Sequence, residues 1–193
     1  MKQKAWNDYL WIWTILYFSL GFFNILFAWL GMIDFMVPML LAIFGGNKAF
    51  CNQYCGRGQL FTLLGKKLKS TGKPAPKWMY SKGFRYGFLI FFLSMFGNML
   101  FQTWLVGSGA ASVKEMLKLF WTINVPWGWA YSAGNVPAWA VQFSFGFYSM
   151  MLTSTLIGLM VMALYKPRTW CAFCPMGTMT QGICQVKAMK ERG

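Results

Sequence analysis

The stretch YLWIWTILYFSLGFFNILFAWLGMIDFMVPMLLAIFGG, residues 9–46, is an almost unbroken apolar run whose one acidic residue is Asp34. A helix needs roughly 20 apolar residues to cross the hydrocarbon core of a bilayer. This run is nearly twice that long, so it reads as two helices rather than one. The sequence offers a break at Gly-Met-Ile-Asp, 31–34, which predicts helices over about 9–30 and about 34–48. The second of these is short and contains Pro38, so it is expected to cross only partly or at a tilt.

Working outward, two more apolar blocks follow, FRYGFLIFFLSMFGNMLFQTWLVG (84–107) and VQFSFGFYSMMLTSTLIGLMVMALY (141–165). The expected fold class is all-α: a polytopic integral membrane protein with four transmembrane helices, or three plus one short or re-entrant segment, and two cytoplasmic cysteine loops. Residues 1–193 read as a single membrane domain. The basic, proline-containing linker 65–83 carries Lys66, Lys67, Lys69, Lys73, Lys77 and Lys82, and with the basic tail it is expected in the cytoplasm. The loop 108–140 carries Trp121, Trp127, Trp129 and Trp139 and few charges, so it is expected outside, with a short interfacial helix over 112–122. The N-terminus, with Lys2 and Lys4, lies inside if there are four crossings and outside if residues 34–48 do not cross. No cleavable signal peptide is expected from the long aromatic run near the start.

Composition agrees with this organisation. Of the residues 57% are hydrophobic and only 11% charged, which points away from an ordinary soluble domain. A net charge of +14 could serve nucleic acid, but the basic residues flank apolar segments instead of forming a reading surface, so no nucleic-acid partner is expected. Histidine is absent, and the only acids are Asp8, Asp34, Glu115 and Glu191. Histidine-ligated haem or zinc, carboxylate di-metal sites and Ser-His-Asp catalysis are thereby excluded as complete sites within the chain. Metal chemistry here must rest on sulfur.

The cysteines form two related stretches. CNQYCGRGQL (51–60) contains Cys-x3-Cys-Gly-Arg-Gly, and TWCAFCPMGTMTQGIC (169–184) contains Cys-x2-Cys-Pro-Met-Gly. Aligned, Cys55 matches Cys174, Gly56 matches Pro175 and Gly58 matches Gly177. Each pair follows an apolar segment, and the charge pattern puts both on one membrane face, so the chain reads as two half-repeats, 9–65 and 84–184. Two converging pairs supply the four thiolates that a [4Fe–4S] or [2Fe–2S] cluster needs: Cys51, Cys55, Cys171 and Cys174. The amides of Gly58 and Gly177 are expected to donate to cluster sulfurs, and Lys48, Arg57, Lys166 and Arg168 to offset its negative charge. A structural zinc held by the same four cysteines is the rival reading. A disulfide is not expected on the reducing side of the membrane. Cys184 has no counterpart in the first stretch, where Gly65 stands; it is read as a non-ligand, with replacement of one ligand as the alternative. Trp170 is expected at the membrane boundary.

The pattern of apolar helix followed by Cys-x2–3-Cys-[Pro/Gly]-x-Gly, twice in one small chain, resembles membrane-bound 4Fe–4S binding proteins of the NapH/NosR type. The resemblance covers most of the chain. It implies four transmembrane helices, cysteine motifs at their cytoplasmic ends, and electron transfer between a membrane quinol or soluble donor and a partner redox protein. The chain departs from that pattern in three places. Gly56 stands where the family usually has proline, Cys171 and Cys174 are separated by two residues instead of three, and no Cys-x2-Cys-x2-Cys-x3-Cys-Pro ferredoxin module is present.

The expected function is therefore that of a membrane iron–sulfur electron-transfer subunit, not a stand-alone catalyst, in the cell (inner) membrane. One cluster would lie at the cytoplasmic face, with a flavoprotein, ferredoxin or membrane redox subunit as partner and lipid around it. The alternative is a non-redox scaffold or assembly factor with a structural four-cysteine zinc site. Quinone is a weaker expectation. Asn24, Asn98, Gln102 and Gln142 lie in apolar segments, where helix–helix hydrogen bonding is the plainer role, and no carboxylate or histidine stands ready to take a quinol's protons. Ion transport is disfavoured by the lack of charge inside the crossings, the marginal Asp34 apart.

Overall fold

The computed structural model describes residues 9–45, 51, 54–67, 73–110, 118–119, 123–124 and 136–190. The elements run α1 (Leu10–Phe23), a 3-10 turn (Ile25–Trp29), α2 (Leu30–Gly45), α3 (Gly56–Lys67), a second 3-10 turn (Lys77–Tyr80), α4 (Lys82–Gly107), β1 (Lys118–Leu119), β2 (Ile123–Asn124), α5 (Ala138–Leu164), α6 (Thr169–Phe173) and α7 (Pro175–Lys190). The described residues are thus helical apart from one short antiparallel ladder and the connecting turns. Among the described residues, three helical stretches are long and apolar enough to cross a membrane: Ile25–Gly45, Lys82–Gly107 and Ala138–Leu164.

The long N-terminal run does divide in two, but not where the sequence suggested. The break falls at Asn24, and the helix that follows continues through 31–34 to Gly45. Asn24 adopts an extended conformation (φ −146°, ψ 118°), and its side chain accepts a hydrogen bond of 3.0 Å from the Leu26 amide. The amide side chain thus satisfies a backbone donor that a helix start leaves open. Gly31, read as a turn residue, serves packing. A Cβ there would lie 2.7 Å from both the Phe147 ring and the Tyr17 hydroxyl. The short apolar segment is therefore α1, at 14 residues, and not the segment at 34–48. The expected interfacial helix at 112–122 is also corrected in part: Lys118–Leu119 pair with Ile123–Asn124 as strands. The rest of that segment, with Trp121, and the later Trp127 and Trp129 lie outside the described residues.

The chain forms two compact units. One comprises Met1–Ile15, Asp34–Phe92 and Thr155–Gly193, and the other Leu16–Ile33 and Leu93–Ser154. The second is a helical packing unit. Tyr148 donates its hydroxyl to the Phe18 carbonyl at 3.0 Å, and its ring lies where any Cβ on Gly21 would clash. Trp29 packs on Phe143 with ring centroids 4.9 Å apart.

The first unit carries all the described cysteines. Its core is Phe61, Ala75, Met79, Val161, Met162, Trp170 and Phe173, backed by Phe84 and Phe88. Two glycines permit this packing: Gly158 lies under the Phe61 ring, and Gly65 against Pro167, each too close for a Cβ. Trp170 is buried at the centre of this cluster, edge-on to Phe88 and Phe173, where it anchors the core. An indole with two aromatic partners contributes more here by burial than it could at an interface.

Candidate iron–sulfur site

Each second cysteine of a pair stands immediately before a helix. Cys55 precedes α3, and its carbonyl accepts the first helical bond from the Gln59 amide at 3.1 Å. Cys174 precedes α7, and its carbonyl accepts from the Thr178 amide at 2.9 Å. At Cys174 the cause is local. Pro175 suits the first helical position and pushes the residue before it into an extended conformation, which Cys174 adopts (φ −52°, ψ 131°). Both thiols therefore sit at the positive end of a helix, where a thiolate is favoured. Cys55 behaves as a sulfur cap, its thiol accepting from the Gly58 amide three residues on.

Gly56 is explained by its neighbours. A Cβ there would lie 2.5 Å from the Leu10 carbonyl oxygen and 2.6 Å from Thr14 Oγ1. The first turn of α3 is pressed against the first turn of α1, so proline would clash just as any other side chain would.

The two stretches, far apart in sequence, meet in one cavity. Cys51, Cys55, Cys171 and Cys174 line it, together with Asp34, Pro38, Arg57, Gly58, Trp170, Met176 and Gly177. A Cβ on Gly58 would lie 3.7 Å from both the Cys55 and the Cys171 sulfurs, so this glycine has one cysteine of each pair beside it. Cys51 Sγ lies 3.8 Å from the buried Thr180 hydroxyl. Among the described residues, no three cysteine or acidic side chains converge closely enough to hold a single metal ion.

Electrostatics describe a pocket built for thiolates only when something cationic joins them. Burial pushes the Cys55 thiol up, while Arg57 and the Gly58 amide pull it down and Cys174 and Asp34 push it further up. Cys171 is pushed up to about 12, first by burial, then by Cys55 and Cys174, with Arg168 opposing. Part of Cys171 is exposed, but its sulfur faces the cavity. Four thiolates cannot share such a space uncompensated. Iron ions would supply the compensation, so the donor set fits an iron–sulfur cluster.

Of the expected supporting cations, Arg57 lines the cavity and Arg168 acts on Cys171, while holding Thr62 Oγ1 at 3.1 Å. Lys166 does not line the cavity, and Lys48 lies outside the described residues. Cys184, on α7, does not line it either.

The cavity lies beside the middle of α2, not beyond its end: Asp34 and Pro38 line it, and α2 continues to Gly45. The sequence reading missed this and with it the position of Asp34. Trp13 Nε1 donates to Asp34 Oδ1 at 3.2 Å. Asp34, Trp13 and Arg57 also line a neighbouring pocket of about 400 Å³ with Leu10, Thr14, Val37, Leu41, Tyr54, Cys55 and Gly56. Asp34 thus stands beside the cysteines, a placement that the sequence alone did not reveal. Asp34 was legible as an acid inside an apolar run, a pattern that marks function by default.

In comparison with known proteins, the chain matches the family model of the 4Fe-4S binding domain over residues 27–73 and 148–187. These two segments contain the two cysteine stretches. An iron–sulfur cluster, [4Fe–4S] in type, is the cofactor this match supports. No curated protein and no solved structure gives a significant match to the chain.

Proposed function

We propose that this protein is an integral membrane electron-transfer protein that holds one [4Fe–4S] cluster on Cys51, Cys55, Cys171 and Cys174. The carrying observation is that these four cysteines, from two distant stretches, line one cavity, with Cys55 and Cys174 each at a helix start. The cluster supplies a one-electron carrier. The chain's own residues position it, exclude water through Trp170 and Met176, and offset its charge through Arg57 and Arg168. Electrons pass to or from a partner redox protein: a flavoprotein, a ferredoxin or another membrane redox subunit.

In this reading Ile25–Gly45, Lys82–Gly107 and Ala138–Leu164 cross the cell membrane. The cysteine side, the basic linker and the tail face the cytoplasm, because lysine and arginine gather there. α1, at 14 residues, spans about 21 Å and is too short for a core of about 30 Å.

The competing reading is a scaffold with a zinc ion held by the four cysteines. A zinc ion draws its ligands to about 2.3 Å from one point. The match of both cysteine stretches to a 4Fe-4S binding domain favours the cluster. Anaerobic purification with iron, sulfide and zinc analysis and EPR tests the assignment. Iron and sulfide near four each per chain, with a signal on dithionite reduction, are expected from the cluster stoichiometry of roughly four. A colourless, iron-free, zinc-containing protein would overturn it.

A further inference from the structure

Thr180 lies on α7 and is almost completely buried, with 2% of its surface exposed. Its hydroxyl oxygen stands 3.8 Å from Cys51 Sγ, which belongs to a residue 129 positions earlier in the chain. The hydroxyl donates to the Met176 carbonyl at 2.9 Å, with the Gly177 carbonyl at 3.2 Å. This back-bond is an extra one. In a regular α-helix the Met176 carbonyl already accepts from the Thr180 amide, four residues on. Turning the hydroxyl away therefore strands no acceptor. Cys51 plays a different part before and after it binds iron. As a thiol it can donate to Thr180 Oγ1, which leaves the hydroxyl proton on Met176. As a thiolate ligand it has no proton and can only accept.

We infer that Thr180 is a positioning residue for the cluster, its hydroxyl donating to the Cys51 sulfur once that sulfur is a thiolate ligand. The inference rests on the iron–sulfur reading above and deepens it. Only the hydroxyl hydrogen has to turn, because the oxygen already stands beside the sulfur. A hydrogen bond to an ionised acceptor is roughly twice as strong as one between neutral groups, so the thiolate wins the proton from the carbonyl. Burial of Thr180 strengthens the bond further by keeping water out. Thr180 thus gives Cys51 what the Gly58 amide gives Cys55. The bond fixes a ligand from the first cysteine stretch to α7, the helix that Cys174 precedes. It also favours the reduced state, in which the sulfurs carry more negative charge, and so raises the reduction potential.

The test uses the full chain, purified anaerobically in detergent, with a redox titration followed by EPR beside iron and sulfide analysis. Thr180→Val keeps the shape and removes the hydroxyl, whereas Thr180→Ser keeps the hydroxyl and removes a methyl. Thr180→Val should make the cluster about tenfold harder to reduce, about 59 mV lower for a one-electron couple. Thr180→Ser should stay near the wild-type potential, a rescue that a packing role would not give. An unchanged or raised potential in Thr180→Val, or an equal fall in Thr180→Ser, would overturn the inference. If Thr180→Val holds no iron, melting of the apo-proteins decides. A melting point equal to that of wild-type apo-protein supports a role at the cluster; one far below it assigns the hydroxyl to the fold and overturns the inference. Wild-type protein without iron and sulfide would sink the cluster reading and this inference with it, whereas a wild-type cluster beside variants of unchanged potential sinks the inference alone.

Discussion

Cys55 and Cys171 both bring their sulfurs to Gly58, each 3.7 Å from where that residue's Cβ would stand. The helix start that carries one cysteine therefore also makes room for the other. A distance of 3.7 Å is ordinary van der Waals contact, so a single methyl fits and a larger side chain does not. Gly58→Ala should retain the cluster, whereas Gly58→Leu should lose it, with iron affinity falling about 10- to 100-fold. Iron and sulfide content per chain reads both outcomes.

Gly56 faces a harder limit. With the Leu10 carbonyl oxygen 2.5 Å from its would-be Cβ, even alanine must push α3 away from α1. Gly56→Ala should cost about 1–3 kcal/mol, in the range of overpacking, and Gly56→Pro should not rescue it. Thermal unfolding in detergent, with cluster absorbance as a second probe, measures the loss.

The five cysteines should separate cleanly. Serine at Cys51, Cys55, Cys171 or Cys174 should abolish or strongly alter the EPR signal. Cys184→Ser should leave it at wild-type intensity, because Cys184 does not line the cavity. Loss of the signal in Cys184→Ser would reassign a ligand.

The ligand-free protein should be alkali-sensitive. Cys171 has its folded pKa raised from an ordinary value of 9.0 to about 12. An acid held neutral in the folded state stabilises the fold fully below its unfolded pKa, and that contribution is lost as pH rises through the interval between the two values. Apo-protein should therefore lose thermal stability between about pH 9 and pH 12. The loaded protein, whose thiolates are already ionised on iron, should lose less. Parallel melting curves of both forms check the difference.

Lys187 ties α7 to the end of α2, its Nζ donating to the carbonyls of Ile43 at 3.3 Å and Phe44 at 3.2 Å. A cation at a helix C-terminus contributes about 0.3–1 kcal/mol. Lys187→Met should lower stability by about that much and leave iron content unchanged, as read from melting and metal analysis together.

Much of the candidate site could be read in one dimension. The spacing of Cys171, Cys174 and Pro175 is local chemistry: proline dictates both the extended conformation before it and the helix after it. The match of Gly58 with Gly177 was visible for the same reason. The break in the first apolar run was not, because Asn24 and Gly31 are both plausible turn residues. Only the rings of Tyr17 and Phe147 show that Gly31 is there for packing. The core role of Trp170 was hidden on similar grounds, since an indole suits an interface and a core equally well until Phe88 and Phe173 are seen around it.

By itself, the sequence determined the helical class, the three long apolar stretches and a metal chemistry restricted to sulfur. Those follow from hydropathy, length and the absence of histidine, which no folding can alter. Tertiary structure decided that Cys51, Cys55, Cys171 and Cys174 share one cavity, that this cavity lies beside the middle of α2, and that Asp34 stands next to it under Trp13. These depend on contacts between residues distant along the chain, where the register of one helix against another is set by close packing at single glycines such as Gly56 and Gly31.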